Sequence, residues 1–276
     1  MSHRIGRARW VFDRTSWTPT LEELSLALSS VQKIEKDRIM NYEYFKDAIA
    51  SLSGRLLMRK FVSDATGLKW DDFLLSREDR FKPFYANDAK IQFNVSHHGN
   101  LTVLAGETGG TQIGIDVMEM KYTGGKPLKE FFRLMSRQLT SQEWEAVEYS
   151  SLESQKEKTF FRIWALKEAY VKATGVGLNL PFNTVDFRFR SKLDQVGSYV
   201  EDTEVYFKGI KQDDWRFQEV LLNENLCVCV AIHCPPDQLN LHHCIKLAHF
   251  QNVSALIPAD EDSYKRMLDN IRGTRK

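Results

Sequence analysis

The spacing of apolar residues changes between two periods along the chain, and each period predicts one type of element. Alternation of apolar and polar positions predicts strands, whereas apolar residues three to four positions apart predict helices. The expected strands lie at 8–13, 72–75, 112–118, 184–190, 203–208, 215–222 and 226–232, with a hairpin over 93–106. The expected helices lie at roughly 20–30, 44–66, 128–136, 141–149 and 157–174. This mixture of elements predicts the α+β fold class.

The two halves of the chain repeat the same order of elements. Segment 53–68 aligns with 161–176, with Ala-Thr-Gly at the end of each, and 94–105 aligns with 219–231 after one gap. Such self-similarity indicates duplication, and a cleft between two similar halves is a common place for a ligand. The expected divisions are an N-terminal α+β half at 1–111, a C-terminal α+β half at 112–250, and a polar tail, helical or disordered, at 251–276.

The predicted hairpin contains two adjacent histidines, and its turn is expected at His98-Gly99-Asn100. Taken alone, the histidines are most simply residues of a solvent-exposed turn. The second half has leucines at the positions of Ser96 and His97. Because the fold therefore does not require histidine there, the comparison favours a ligand-binding role for Ser96 and His97.

Composition limits the classes of function. The 276 residues are 42% hydrophobic, which is enough for a large core. A formal charge of +1 argues against bulk nucleic acid as the main partner but leaves small anions as ligands. No apolar run approaches the length of a membrane span and no signal sequence is recognisable, so we expect a cytosolic protein without membrane association.

A cluster of cysteines and histidines near the end of the second half is the one pattern that suggests zinc. Its spacing lacks a Cys-x-x-Cys pair, and alternation places two of the cysteines on one face of a predicted strand. Buried, reduced thiols are therefore the preferred interpretation. The residues concerned are Cys227, Cys229, Cys234, Cys244, His233, His242 and His243.

An acidic residue follows a glycine in the strand predicted at 112–118. Alternation places Gly114, Asp116 and Met118 on one face. A carboxylate beside a residue that permits close approach of a ligand suits Mg²⁺, which is often held by one or two carboxylates and phosphate oxygens. The alternative is a strand-end aspartate that caps the following turn.

The helix predicted at 157–174 is apolar on nearly all sides, so its charged residues need an explanation. Glu168 and Lys172 lie one turn apart on the arc that also carries Phe161 and Trp164. They can form a mutual ion pair. They can also serve phosphoryl transfer, in which one group binds metal or takes a proton and the other neutralises a leaving phosphate.

Basic residues before the hairpin are candidates for phosphate binding if the fold brings them together. Each taken singly is more simply a solvated surface residue. They are Lys36, Arg38, Arg77, Arg80 and Lys82.

Three motifs in a fixed order resemble those of the Sfp-type 4'-phosphopantetheinyl transferases. They are 94-NVSH-97, 114-GIDVM-118 and 164-WALKEAYVKATGVGL-178. The resemblance covers most of the chain from about residue 8 to 235. It implies a pseudo-dimer of two similar α+β halves, with coenzyme A and Mg²⁺ in the active-site cleft between them.

The resemblance also implies roles for individual residues. Asp116 and Glu168 match the metal-binding acids, Glu168 also matches the general base, and Lys172 matches the lysine near the pyrophosphate. The positions in contact with coenzyme A are matched by Asn94, Val95, Ser96 and His97, of which Ser96 and His97 lie near its 3'-phosphate. The basic positions that hold the nucleotide are matched by Arg38, Arg77, Arg80 and Lys82.

The implied reaction converts an apo carrier protein to its holo form. Glu168 takes the proton of a carrier serine, directly or through water, as the serine attacks the β-phosphate of coenzyme A. Lys172 stabilises or protonates the departing 3',5'-ADP. Mg²⁺ is held by Asp116, Glu168 and the pyrophosphate. Many family members carry a third acid at the position of Met118, so water is expected to complete the metal shell here. The loop sequence Gly-Lys-Pro of the family is Phe81-Lys82-Pro83 in this chain.

Acyl carrier domains are the partners that the resemblance implies, including those of fatty acid synthase and of aminoadipate-semialdehyde-dehydrogenase-like proteins. Because carriers are typically acidic around the modified serine, the loop 121–127 with Lys121 and Lys126 is a candidate docking rim. A monomer is expected. Two alternatives remain open: a metal-dependent phosphohydrolase of coenzyme A or nucleotides, and a non-catalytic module that binds carrier proteins.

Overall fold

The computed structural model describes residues 4–77, 82–234 and 251–252. The chain forms two compact units, one within Met1–Gly110 and Ala248–Lys276 and the other within Thr111–Leu247. Each unit combines helices with antiparallel sheet, which confirms the predicted mixture of elements. The predicted polar tail lies outside the described residues, apart from a short strand at Gln251–Asn252.

The first unit packs one long helix against an antiparallel sheet. Its sheet has the order Gln251–Asn252, β1, β3, β2, in which β3 is antiparallel to both neighbours and the short strand is parallel to β1. The elements are β1 (Arg7–Asp13), α1 (Leu21–Ser29), α2 (Lys33–Met40), α3 (Phe45–Thr66), β2 (Gln92–His98) and β3 (Leu101–Glu107).

The second unit contains two sheets. One has the order β4-β10-β9-β6 and the other β5-β7-β8, and every pairing within them is antiparallel. The elements are β4 (Gln112–Glu119), α4 (Leu128–Met135), α5 (Ser141–Glu148), α6 (Glu153–Thr174), β5 (Val185–Arg188), β6 (Tyr199–Val200), β7 (Glu204–Phe207), β8 (Ile210–Lys211), β9 (Trp215–Leu221) and β10 (Leu226–His233).

Both units follow the same path from a first strand through a 22-residue helix to an antiparallel pair of strands. The order β1-β3-β2 in the first unit corresponds to β4-β10-β9 in the second. Helices α3 and α6 each end at a glycine with positive φ, 76° at Gly67 and 72° at Gly175. Glycine adopts this left-handed conformation without the steric penalty of a Cβ, which explains why both helices stop there.

The hairpin of the first unit is formed by β2 and β3, and the register pairs Phe93 with Gly106 and His97 with Thr102. Strand β2 continues through His98, so the turn consists of Gly99 and Asn100 alone. The predicted pattern of one buried and one polar face is wrong for β3, which is buried from Thr102 to Glu107. It lies between β1 and β2 and is covered by α3.

Residues 72–75 do not form the predicted strand. Phe73 is buried and packs edge-on against Tyr85, with ring centroids 5.9 Å apart, and the Arg59 guanidinium lies 4.8 Å from its ring centroid. The apolar residues of this segment therefore anchor an irregular connection. Helix α2 was not predicted, because its sequence is mostly polar and Ile39 is its only buried residue.

Helix α6 touches the backbone of β4 directly at Gly114. A Cβ added there would lie 2.0 Å from the Ala169 carbonyl oxygen and 2.4 Å from the Ala173 nitrogen. Neither backbone atom can move aside without shifting the helix. We had expected Gly114 to let a ligand approach, and that interpretation is wrong, because the space is filled by α6.

Replacement Gly114→Ala is expected to lower the free energy of unfolding by about 1–3 kcal/mol, since the added methyl group forces α6 away from β4. Urea unfolding of the wild type and the variant measures the change. Gly125→Ala is the matched control, because a Cβ there meets nothing within 4 Å, and we expect a change below about 0.5 kcal/mol. Equal stability of the wild type and both variants would contradict the close contact.

Candidate functional site

The contact between α6 and β4 brings three charged side chains of the second unit together. The Lys172 ammonium donates a hydrogen bond of 2.6 Å to the Asp116 carboxylate. Asp116 is buried within β4, while Glu168 and Lys172 are half-buried on α6. All three residues that the sequence assigned to catalysis thus lie in one cluster.

The two carboxylates of this cluster influence each other electrostatically. Burial raises the pKa of the Glu168 carboxyl above its ordinary value, the nearby Asp116 carboxylate raises it further, and Lys172 opposes both effects. Two acids that repel each other in a half-buried place favour either proton binding or a cation. Glu168 is therefore suited to accept a proton or to help bind a metal ion.

The donor set for a cation consists of the carboxylates of Asp116 and Glu168. Among the described residues, no group of three or more histidine, cysteine, aspartate or glutamate side chains forms a metal cluster. Hard oxygen donors of this kind fit Mg²⁺, which keeps several waters and is commonly held by one or two carboxylates together with substrate phosphates. Met118 packs against the apolar core of the unit.

A separate pocket in the first unit collects basic side chains. It has a volume of about 240 Å³ and is lined by residues of α3 and β2 together with Tyr42, Arg77, Lys82 and Pro83. We call it the anion pocket. Its lining residues are Tyr42, Ala50, Ser51, Gly54, Arg55, Met58, Arg77, Lys82, Pro83, Phe93, Asn94, Val95 and His97.

The guanidinium of Arg77 is crowded by like charges. Burial lowers its pKa, and Arg55 and Arg38 lower it further, while Glu35 acts in the opposite direction. Its Nε atom is buried and has no hydrogen-bond partner among the residues that the structure describes. A buried, unpaired donor beside other cations is costly, so an anion bound in the pocket would relieve this cost.

Lys82 adds a further cation to the anion pocket. It is half-buried, and burial lowers its pKa from the ordinary value of 10.5 to about 8. Because desolvation penalises the charged form, the lysine is partly neutral just above physiological pH. A bound phosphate would favour the charged form and raise the pKa again.

The structure brings most, but not all, of the predicted nucleotide-binding residues to the anion pocket. Ser96 is buried in β2 and does not line the pocket. Arg80 lies outside the described residues. Arg38 is not a lining residue, but its charge acts on Arg77 and it lies 3.9 Å from Glu35. The predicted residues that line the pocket are Arg77, Lys82, Asn94, Val95 and His97.

The sequence analysis did not identify Arg55 as part of the site. It lies in the middle of α3, lines the anion pocket and forms an ion pair with Glu35. Glu35 also lies near Arg38, so one carboxylate holds two arginines at the edge of the pocket. The signal that was available is an arginine among otherwise buried positions of a long helix, which needs a partner or a ligand.

Three cysteines of the second unit are ordinary core residues. Cys227, Cys229 and Cys234 are fully buried free thiols, and burial raises the pKa of Cys229 well above its ordinary value. Buried thiols of this type are poor nucleophiles and poor metal ligands. Cys244, His242 and His243 lie outside the described residues.

The regions that contain the anion pocket and the charged cluster of Asp116, Glu168 and Lys172 both match models of known protein families. The model of the N-terminal 4'-phosphopantetheinyl transferase domain matches residues 15–109. The model of the 4'-phosphopantetheinyl transferase superfamily matches residues 112–231. The chain belongs to the 4'-phosphopantetheinyl transferase family. The resemblance inferred from three short motifs is thereby confirmed.

Individual members of the family are similar over most of their length. An L-aminoadipate-semialdehyde dehydrogenase-phosphopantetheinyl transferase of Xenopus laevis is 36% identical over 83% of this chain and 76% of its own. The human protein of that name is 34% identical over 82% and 75%. A 4'-phosphopantetheinyl transferase of Aneurinibacillus migulanus is 30% identical over 77% and 81%.

Both family regions correspond to units of this structure. The region matched by the N-terminal model contains the anion pocket, and the region matched by the superfamily model contains Asp116, Glu168 and Lys172.

Within the part of the chain that is described, none of the helices has the length and apolar character needed to cross a membrane.

The pKa of Lys82 predicts how the affinity of the anion pocket depends on pH. Below about pH 8 the lysine is charged and can pair with a bound phosphate group. Above that pH, binding requires uptake of a proton, so affinity is expected to fall by up to about tenfold per pH unit until the pKa of the bound state is reached.

Calorimetric titration with 3',5'-ADP between about pH 7 and 9.5 measures this dependence. Lys82→Met is expected to bind more weakly and to lose the pH dependence in that range. Lys60→Met is the control, since Lys60 pairs with Asp64 and does not line the pocket. A decline of affinity with pH that persists in Lys82→Met would exclude Lys82 as its source.

Proposed function

We propose that this protein transfers the 4'-phosphopantetheine group of coenzyme A to a serine of an acyl or peptidyl carrier protein and releases 3',5'-ADP. The observation that carries the proposal is the cluster of Asp116, Glu168 and Lys172 in a chain of this family. Such a cluster offers a base, a cation site and a compensating ammonium group in one place.

The anion pocket is the proposed binding site for the nucleotide end of coenzyme A. Coenzyme A carries a 3'-phosphate and a pyrophosphate, and the pocket contains Arg55, Arg77, Lys82 and His97. The repulsion of Arg77 by Arg55 and Arg38 and the buried Arg77 Nε support a polyanionic ligand. Binding would replace like-charge repulsion by charge-assisted hydrogen bonds, which are the stronger class of hydrogen bond.

The proposed chemical roles follow from the environment of each side chain. Glu168, with its raised pKa, accepts the proton from the serine hydroxyl of the carrier as that oxygen attacks the β-phosphate. Lys172 stabilises the negative charge that develops on the 5'-phosphate oxygen of the departing 3',5'-ADP. Asp116 holds the Lys172 ammonium in place through their 2.6 Å hydrogen bond.

Asp116 and Glu168 would also hold Mg²⁺, which supplies charge neutralisation at the phosphate oxygens when it is bound. Dependence on Mg²⁺ is therefore part of the proposal. So are a cytosolic location, a monomeric state, and a pseudo-dimer of the halves 1–111 and 112–250 with the active site in a cleft between them. The equal strand order of the two units supports the last of these.

Carrier domains of aminoadipate-semialdehyde dehydrogenase are proposed acceptors, because the relatives from Xenopus laevis and human carry that substrate in their names. Carrier domains of fatty acid synthase are proposed as further acceptors. The docking rim is the loop 121–127. Its Tyr122 stacks on Phe131 with centroids 4.3 Å apart, while Lys121 and Lys126 remain exposed.

Replacement Glu168→Gln is expected to reduce transfer by about a hundredfold or more, since it removes both the base and one metal-binding carboxylate. The assay is the intact mass of an apo acyl carrier protein after incubation with the protein, coenzyme A and Mg²⁺. Transfer adds roughly 340 Da, the mass of the arm that moves with the phosphoryl group. EDTA is expected to abolish the gain.

A matched control is available on the same face of α6. Glu157 is half-buried and accepts a hydrogen bond of 3.3 Å from the Tyr122 amide, and Glu157→Gln is expected to retain activity within about threefold. Wild-type transfer by Glu168→Gln would contradict the role of Glu168 as base and metal-binding carboxylate. Cleavage of coenzyme A without a labelled carrier would instead indicate the phosphohydrolase.

The double replacement Lys121→Ala and Lys126→Ala is expected to raise KM for an acidic carrier at low salt while leaving kcat nearly unchanged. Exposed charges mainly steer association, so the effect should shrink as salt screens them. KM measured at about 20 and 300 mM salt tests this. The control is Lys208→Ala with Lys211→Ala, at the β7–β8 hairpin of the same unit. The same KM for double variant and wild type at low salt would exclude this rim.

A further inference from the structure

Lys167 precedes the catalytic glutamate in α6 but is almost completely buried, with 1% of its side chain exposed. Its ammonium pairs with the Glu143 carboxylate at 2.8 Å and donates to the carbonyl oxygens of Phe182, at 2.8 Å, and Val185. An ammonium group has three protons. All three are therefore satisfied, and no donor remains to contact a substrate.

Glu143 is equally well satisfied. Its carboxylate accepts hydrogen bonds from the backbone amides of Thr140, at 2.8 Å, and Phe187, at 3.0 Å, in addition to the Lys167 ion pair. Thr140 and Glu143 also form the capping box of α5. The pair therefore connects the start of α5, the middle of α6 and strand β5.

Two further contacts hold α6 on its other sides. Arg162 forms a bidentate ion pair with the buried Glu219 of β9, with distances of 2.6 and 2.8 Å. Gly114 of β4 touches the helix backbone directly. The arc of α6 that remains half-exposed carries Glu168 and Lys172, so the helix is fixed around the residues that the reaction uses.

The first unit shows which part of this arrangement belongs to the fold in general. Arg59 of α3 occupies the position that corresponds to Lys167, and its guanidinium likewise donates to backbone carbonyls, those of Trp70 and Phe73. Its Nε and Nη1 atoms have no partner among the described residues. A buried cation that binds carbonyls is thus common to both units, whereas the carboxylate partner from α5 accompanies the unit that contains Glu168.

We propose that the Lys167–Glu143 ion pair is a positioning device that fixes the turn of α6 carrying Glu168 and Lys172 relative to Asp116. Lys167 is a positioning residue and not a catalytic one, since its donors are all used within the protein. The inference rests on the proposed function for its effect on rate. Displacement of a catalytic group by about 1 Å can reduce a rate by about a hundredfold.

The test replaces the ion pair by apolar residues of similar size, Lys167→Met with Glu143→Leu. Such a double replacement avoids an unpaired buried charge. The control is Arg7→Met and Arg9→Met with Glu107→Leu, which removes a buried ion pair of equal length, 2.8 Å, from the first unit without leaving Arg7 unpaired. Lys167→Arg is the conservative variant, because Arg59 shows that a guanidinium can make the carbonyl contacts at this position.

We expect the Lys167/Glu143 double variant to lose about tenfold to a hundredfold in kcat with KM for coenzyme A within about threefold. Amides of residues 164–172 should exchange hydrogen at least about tenfold faster than in the wild type. The control should change neither kcat nor this local exchange. Lys167→Arg should recover kcat to within about threefold of the wild type.

Wild-type kcat and wild-type exchange in the Lys167/Glu143 double variant would overturn the inference. Equal losses in the control would also overturn it, because they would indicate general destabilisation. The exchange measurement does not depend on activity. If the wild type transferred nothing to any carrier while local exchange still rose in the Lys167/Glu143 double variant, the proposed function would fail. The positioning device would then stand.

Discussion

The direct contact between the backbone of α6 and that of β4 is the constraint on which the candidate catalytic site depends. Gly114 leaves no gap to the helix, since any Cβ there would lie 2.0 Å from the Ala169 carbonyl oxygen. Asp116 follows Gly114 by two residues on the strand, and Lys172 follows Ala169 by less than one turn of the helix. The close contact therefore brings Asp116 within hydrogen-bonding distance of Lys172. A larger residue at 114 would separate the strand from the helix and with them the two charges.

The surroundings of α6 and the anion pocket differ in how buried charge is compensated. In the second unit, ion pairs compensate buried cations, as in Lys167 with Glu143 and Arg162 with Glu219. In the anion pocket of the first unit, Arg77 is surrounded by further cations and its pKa is lowered. Paired charges hold a structure in place, whereas a buried guanidinium with an unpartnered donor beside other cations favours a bound anion. The first arrangement suits positioning and the second suits ligand binding.

Helices α3 and α6 show how one scaffold can carry different chemistry. Both have 22 residues, both end at a left-handed glycine, and each packs on an antiparallel sheet. At the positions of Glu168 and Lys172, α3 has Lys60 and Asp64, which form a simple i,i+4 ion pair 2.8 Å long. The same spacing therefore gives a local surface pair in one unit. In the other, the lysine reaches a buried aspartate on a neighbouring strand.

The sequence by itself determined the elements whose signals are local. Period and terminating glycines defined both long helices, alternation defined the hairpin and β4, and three short motifs identified the family. Only the tertiary structure decided that Phe73 anchors an irregular segment, that Arg55 lines the anion pocket, and that Lys167 is paired inside the protein. Periodicity fixes which face of an element a side chain occupies, but its partner depends on elements distant in sequence. Those partners are set by packing, and packing determines which charges are neutralised and which remain to bind a ligand.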